Sequence, residues 1–178
     1  MTFFVDVFIF TDAIINVVWG YYVMNEIQAI IFQLNDQICG VDTSQVKEIK
    51  KYTEVSRMPD VPEFIEGAIN LRGRVVPIIN LNIRFGLGKS EITSKTKILV
   101  TAIEEQLVGF TVNDVMEITK FTAEEIEDVP DILRNNTNYY LKCIGKKDDM
   151  LVTIIDLSKI LNSNEIDEIS HKISDISE

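Results

Sequence analysis

From Ile27 onward, short apolar runs alternate with polar breaks at the spacing of β-strands and tight turns. IQAIIFQL and ICGVD, separated by Asn35-Asp36-Gln37, read as a hairpin, and TSQVKEIKKY leads into the proline-marked loop Met58-Pro59-Asp60-Val61-Pro62. Residues 64 to 81, FIEGAINLRGRVVPIINL, organise the rest. The β-branched Ile69, Val75, Val76, Ile78 and Ile79 flank a break at Asn70, Arg72, Gly73 and Arg74, which predicts strand, tight turn, strand. Pro77 brings no backbone donor, so the second of these strands is expected at a sheet edge, or with its proline at a bulge or bend. After NIRFGLGKS, KILVTAI and LVGFTV form a further hairpin about Glu104-Glu105-Gln106. Residues 119 to 138 read as an acidic loop with a helical turn at AEEIE, and YYLKCIG and MLVTIIDL close the series around Lys146-Lys147-Asp148-Asp149.

The series contains a repeat. A shift of 69 residues lays Gln37, Gly40, Val46, Glu48 and Ile49 on Gln106, Gly109, Val115, Glu117 and Ile118. A shift of 76 lays Val76, Ile78, Ile79 and Leu81 on Val152, Ile154, Ile155 and Leu157, with Asn80 over Asp156. Two hairpin types therefore alternate along the chain, as a duplicated β module requires, and two small barrels packed together follow. Past the last hairpin, Leu157, Ile160 and Leu161 begin a helical spacing, and Ile166, Ile169, Ile173 and Ile176 continue it in steps of three and four. That is an amphipathic helix, covering the core over residues 157 to 163 or offering a seam to a partner, with serines and charge weakening it past Glu165.

The first 23 residues differ from everything after them. They hold seven of the fifteen aromatic residues and no Lys or Arg. A secretory signal lacks its basic start, and a membrane span would carry Asp6 and Asp12 at about 2.5 to 3.5 kcal/mol each. Met24 opens MNEIQAIIFQL, a normal domain start. The expected organisation is thus a non-domain extension over 1–23, upstream of the true start, a domain over 24–163, and a polar tail or helix extension over 164–178.

Composition narrows the partners and the chemistry. Seventeen Lys and Arg against 28 Asp and Glu give a net charge of −11, which repels phosphate backbones and anionic lipid surfaces. Nucleic acid and membrane insertion are accordingly not expected. Cys39 and Cys143 stand far apart inside apolar runs, which suits buried thiols in a reducing compartment. The one histidine, His171, lies in the tail, so no Ser-His-Asp, Cys-His or His-based metal arrangement is available in the barrels. The glycines at 67, 73, 86 and 88 match no phosphate or dinucleotide loop. No catalytic residue, metal or cofactor is expected. The residues alone indicate a non-catalytic β interaction module, with a small-ligand-binding barrel or an unrecognised carboxylate hydrolase as weaker alternatives. Arg72, a planar five-donor group beside a glycine, calls for a carboxylate partner elsewhere in the fold.

FIEGAINLRGRVVPIINL, with VKEI and RMPDVP before it and FGL after it, resembles the CheW family of chemotaxis coupling proteins from about Ile27 to Leu161. The resemblance implies a mainly β fold of two packed five-stranded SH3-like barrels with a C-terminal helix and no enzymatic activity. It also implies a cytoplasmic scaffold, at receptor arrays on the inner face of the membrane, joining chemoreceptor signalling tips to the regulatory domain of the histidine kinase CheA. Glu48 matches the family glutamate that pairs with the turn arginine, here Arg72. Val46, Gly67 and Gly73 match positions of the receptor-binding face. The kinase surface is marked by no motif of this kind and points only to the first barrel. The same module occurs in the kinase and in couplers fused to a receiver domain; the 17 residues after Leu161 favour a stand-alone coupler. An interaction module of another two-component pathway is the alternative.

Overall fold

The computed structural model describes residues 26–133 and 139–176; the expectations for residues 1–23, including the start at Met24, lie outside them. The described strands are β1 (Glu26–Leu34), β2 (Gln37–Asp42), β3 (Val46–Lys51), β4 (Ile65–Leu71), β5 (Arg74–Asn80), β6 (Lys97–Ile103), β7 (Gln106–Val112), β8 (Asp114–Thr122), β9 (Ile126–Glu127), β10 (Leu141–Lys147) and β11 (Met150–Ile155). A short helix α1 (Leu81–Arg84) follows β5, and a longer α2 (Ser163–Ile176) follows the strands. One sheet has the order β8-β1-β2-β11-β10-β9, the other β3-β6-β7-β5-β4.

The four expected hairpins, β1–β2, β4–β5, β6–β7 and β10–β11, are all antiparallel pairs. The repeat has a structural counterpart: β4 and β5 map onto β10 and β11, and β2 and β3 onto β7 and β8. Even the irregularity between Ile65 and Gly67 recurs between Leu141 and Cys143. The halves nevertheless interleave. β3 leaves its own hairpin to pair with β6, and β8 leaves to pair with β1. Each sheet is joined across halves by a parallel contact, β2 to β11 and β5 to β7. Gly40 and Gly109 sit at those two contacts, where a Cβ would meet Ile154 Cδ1 at 2.7 Å and Ile78 Cδ1 at 2.6 Å. Close approach of neighbouring side chains thus explains their recurrence in the repeat.

The apolar runs are long because the strands are buried on both faces. On β1, Ile30, Phe32 and Leu34 enter the core between the sheets, whereas Ile27, Ala29 and Ile31 enter the first sheet's own core. Phe110, Leu99, Ile79 and Ile155 complete the shared core, and Ile69, Leu71, Val76, Ile78, Ile98 and Val100 form the second sheet's own. Each fully buried side chain of this kind contributes about 2 kcal/mol of transfer free energy. Cys39 and Cys143 are free and buried, on the shared core and the first sheet's own core respectively, and burial pushes both thiols up to about 11.

Three expectations are corrected. Of the two placements expected for Pro77 the edge is not found, since β5 is an interior strand with β4 at the edge, and the irregularity of the β4–β5 pair falls opposite Ile78 and Ile79, beside the proline. Pro77 is tolerated because its partner Ala68 directs both its N–H and its C=O away, to Ser56 at 2.9 Å each, so no bond is sought from Pro77. On the other side, pairing with β7 begins only at Ile78. Second, residues 119 to 122 are strand, since β8 continues to Thr122 along β1; a 3-10 turn then spans Ala123–Glu125, within the AEEIE stretch. Third, the helix does not begin at Leu157. Asp156 accepts from the Ser158 N–H at 3.1 Å and caps a single 3-10 turn over Leu157–Lys159. The helix proper starts at Ser163, continues well past Glu165, and lays Ile166, Ile169 and Ile173 on the shared core.

Candidate interaction surface

The tip of the β4–β5 hairpin is a two-residue turn, Arg72-Gly73, with φ of 54° and 81°. Positive φ at both central positions is the turn that matches strand twist, and it favours Asn or Gly at the first. Arginine in that conformation costs about 1 kcal/mol. The Asn70 Oδ1 accepts from the Gly73 N–H at 2.9 Å and holds the turn. Arg72 Nη2 donates to Glu48 Oε2 at 3.0 Å, bringing the two expected partners together. The Arg72 side chain is 81% exposed and that of Glu48 32%, so only the glutamate is shielded from solvent.

Beneath the pair is a cavity of about 230 Å³ lined by Lys47, Glu48, Leu71, Arg72, Arg74, Val100 and Leu107. Its floor is the end of the second sheet's own core, where Leu71 and Val100 are buried and Leu107 is half-buried. Its rim carries Lys47, Arg72 and Arg74 against Glu48, a locally basic margin on a chain of net charge −11. An apolar floor with a charged rim is the anatomy of a protein contact.

The remaining expected residues are not gathered into this groove. Val46 pairs with Thr101 and Glu48 with Val100; the register shift between them puts one extra residue in β3. Val46 is half-buried against the shared core. Gly67 is buried at φ 142°, and a Cβ there would lie 2.0 Å from the Ser56 carbonyl oxygen, so this glycine is required by close backbone approach. Gly73 is exposed, with open space around its α carbon. Lys47 and Arg74 escaped the sequence reading although they neighbour Glu48 and Gly73. Leu107 could not have been found, because only β6 and β7 bring it there.

Among the described residues, no group of three or more His, Cys, Asp or Glu is placed to hold a metal ion, and no helix is long and apolar enough to cross a membrane. The class so defined is a duplicated two-sheet β protein with a C-terminal helix.

Comparison with known proteins narrows the class. A family model described as a CheW-like domain matches residues 28–165. The chain is 32% identical over 137 residues to the chemotaxis protein CheW of Klebsiella aerogenes, covering 77% of this chain and 82% of that one. It is 34% identical over 133 residues to CheW of Bacillus subtilis, covering 75% and 85%. Among solved structures, the scaffolding protein TtCheW from Thermoanaerobacter tengcongensis superposes with a TM-score of 0.71 at 33% identity, covering 78% of this chain and 90% of that one. The chain belongs to the CheW family and is an adaptor of chemotaxis signalling.

Proposed function

We propose that this chain couples the cytoplasmic signalling tip of a chemoreceptor to the regulatory domain of the histidine kinase CheA, at receptor arrays on the inner face of the membrane, without catalysing a reaction. The observation that carries this reading is membership of a family whose named relatives serve chemotaxis, together with the Glu48–Arg72 pair that holds the turn bearing Gly73. The receptor contact is assigned to Val46 and Gly73. Gly67 contributes by shaping β4 where it meets Ser56. A receptor tip is helical, and Val46 offers it an apolar contact at the margin of the shared core.

Titration of the purified chain against a receptor tip and against the kinase regulatory domain, separately, tests this. Binding of both, with Val46→Glu weakening the receptor by at least about ten-fold while sparing the kinase, is the expected result, since a charge is driven into an apolar contact. Equal loss for both partners would make Val46 a core residue only, and no binding by the parent chain would remove the proposal.

A further inference from the structure

The two sheets meet where mates of the repeat face each other. A shift of 76 residues carries α1 onto the turn Leu157–Lys159, Phe64 onto Tyr140, and Arg84 onto Ile160. The pairing is visible in the backbone: Asn80 N–H donates to Phe64 O at 2.7 Å, and its mate Asp156 N–H donates to Tyr140 O at 2.8 Å. One side chain breaks the symmetry. Arg84 donates from Nε and Nη2 to the Ile160 carbonyl oxygen at 3.0 and 2.7 Å, the backbone of its own mate. It also donates from Nη1 and Nη2 to Glu165 Oε1 and Oε2 at 2.8 and 2.9 Å. Its guanidinium lies 4.5 Å from the Phe64 ring centre, and the neighbouring Phe85 stacks on Tyr140 at 4.5 Å.

Both charged side chains are about four-fifths buried, at 20% and 19% exposure. Glu165 does double service. Its Oε2 accepts from the Asn162 N–H at 2.8 Å while the Asn162 Oδ1 accepts from the Glu165 N–H at 3.0 Å, so the carboxylate that holds Arg84 also caps α2. Further along, α2 is tied by Gln106 Nε2 to Ser170 Oγ at 2.7 Å and by its isoleucines. Ile160, the mate, has no group that could return the grip, so Arg84 ties the chain leaving β5 of one sheet to the chain leaving β11 of the other by bonds that the second copy cannot mirror. Only a planar guanidinium satisfies a carbonyl and both carboxylate oxygens at once.

We propose that Arg84 is a positioning residue that locks the angle between the two sheets, so that a displacement imposed on one sheet is delivered to the other. The inference rests on the coupling role proposed above, because an adaptor contacting receptor and kinase on different faces transmits only what its internal geometry holds fixed. Loss of the lock leaves each contact surface intact and loosens their relation.

The test uses the full chain carrying spin labels at Lys51→Cys in β3 and Leu151→Cys in β11, both exposed positions, with the native thiols buried. Glu165→Gln keeps the shape of the cap; Arg84→Lys keeps the charge but cannot reach both acceptors, and covers the case in which the first variant fails to fold. In either folded variant, the inter-sheet distance distribution by pulsed electron spin resonance is expected to broaden about two-fold. Receptor-tip and kinase titrations should stay within about two-fold of the parent, while receptor-dependent kinase stimulation falls about five-fold. An unchanged distribution in both variants overturns the lock. A broadened distribution with full stimulation overturns its role in transmission. Failure of the parent chain to bind either partner strikes the coupling role instead, and the distance measurement still decides the lock.

Discussion

The turns Arg72-Gly73 and Asp148-Asp149 occupy the same place in the two copies of one hairpin, yet they present opposite charges. The backbone is shared: φ is positive at both central positions, 54° and 81° in the first and 47° and 65° in the second. Surroundings diverge. Glu48 receives Arg72, whereas its mate Glu117 accepts from the Thr119 hydroxyl at 2.8 Å. Lys47 and Arg74 correspond to Met116 and Met150. Strand twist imposed the positive φ twice, so that feature belongs to folding. The side chains, which folding left free, are where the copies acquired different chemistry, and Lys47, Arg72 and Arg74 give the first tip its basic rim.

The largest break in this comparison is expected at the bulge on the first strand of each hairpin. Gly67→Ala drives a Cβ against the Ser56 carbonyl and should cost more than about 3 kcal/mol or prevent folding. Its mate Cys143 already carries a side chain, and Cys143→Ala should cost about 1 kcal/mol for the small cavity it leaves. Urea denaturation of the two variants measures both.

Next come the two arginine pairs, compared by double-mutant cycles on thermal stability. Arg84–Glu165, largely buried, is expected to show a coupling of about 2 kcal/mol. Arg72–Glu48, with its arginine in solvent, should show under about 1 kcal/mol. Equal couplings would make the turn pair a structural strut rather than a surface feature.

Acid titration separates a further pair of mates. Burial pushes the Asp156 carboxyl up, but bonds from Ser158 and Gln45 and the nearby Lys159 outweigh it and hold the group below the usual 3.8. A depressed folded value means stability present above about 3.8 and lost as pH falls through the lower folded value. Asn80, at the same place in the other copy, does not titrate. Asp156→Asn should therefore flatten the melting temperature against pH in that acid window, by a smaller amount than the cycles above.

The smallest effect is expected at the turns themselves. Asp149→Gly relieves a left-handed residue and should gain about 0.5 kcal/mol, while Gly73→Ala should lose about 0.5 kcal/mol. Thermal melts of both check whether the two tips are under the same backbone demand.

The order of hairpins and the duplication could be read from the chain, because each rests on local signals, period-two apolar runs and turn residues; the need of Arg72 for a carboxylate was legible too, but Glu48 as that carboxylate came only through the family resemblance. The edge placement of Pro77 failed on that local footing, since a missing donor argues for an edge only until the neighbour's own bonds are known; Ala68 had already turned to Ser56, beside the irregularity in the β4–β5 pair. The tail misled for a related reason. The spacing of its isoleucines is helical, but the cap at Asp156 and the second start at Asn162 come from contacts that stop one turn and begin another. The exchange of β3 and β8 between sheets, the cavity floor supplied by Leu107 and Val100, and the grip of Arg84 on Ile160 were decided by tertiary structure alone. Each joins residues from opposite halves of the repeat, and a repeated pattern specifies what each strand is without specifying which copy it pairs with; packing of the shared core makes that choice.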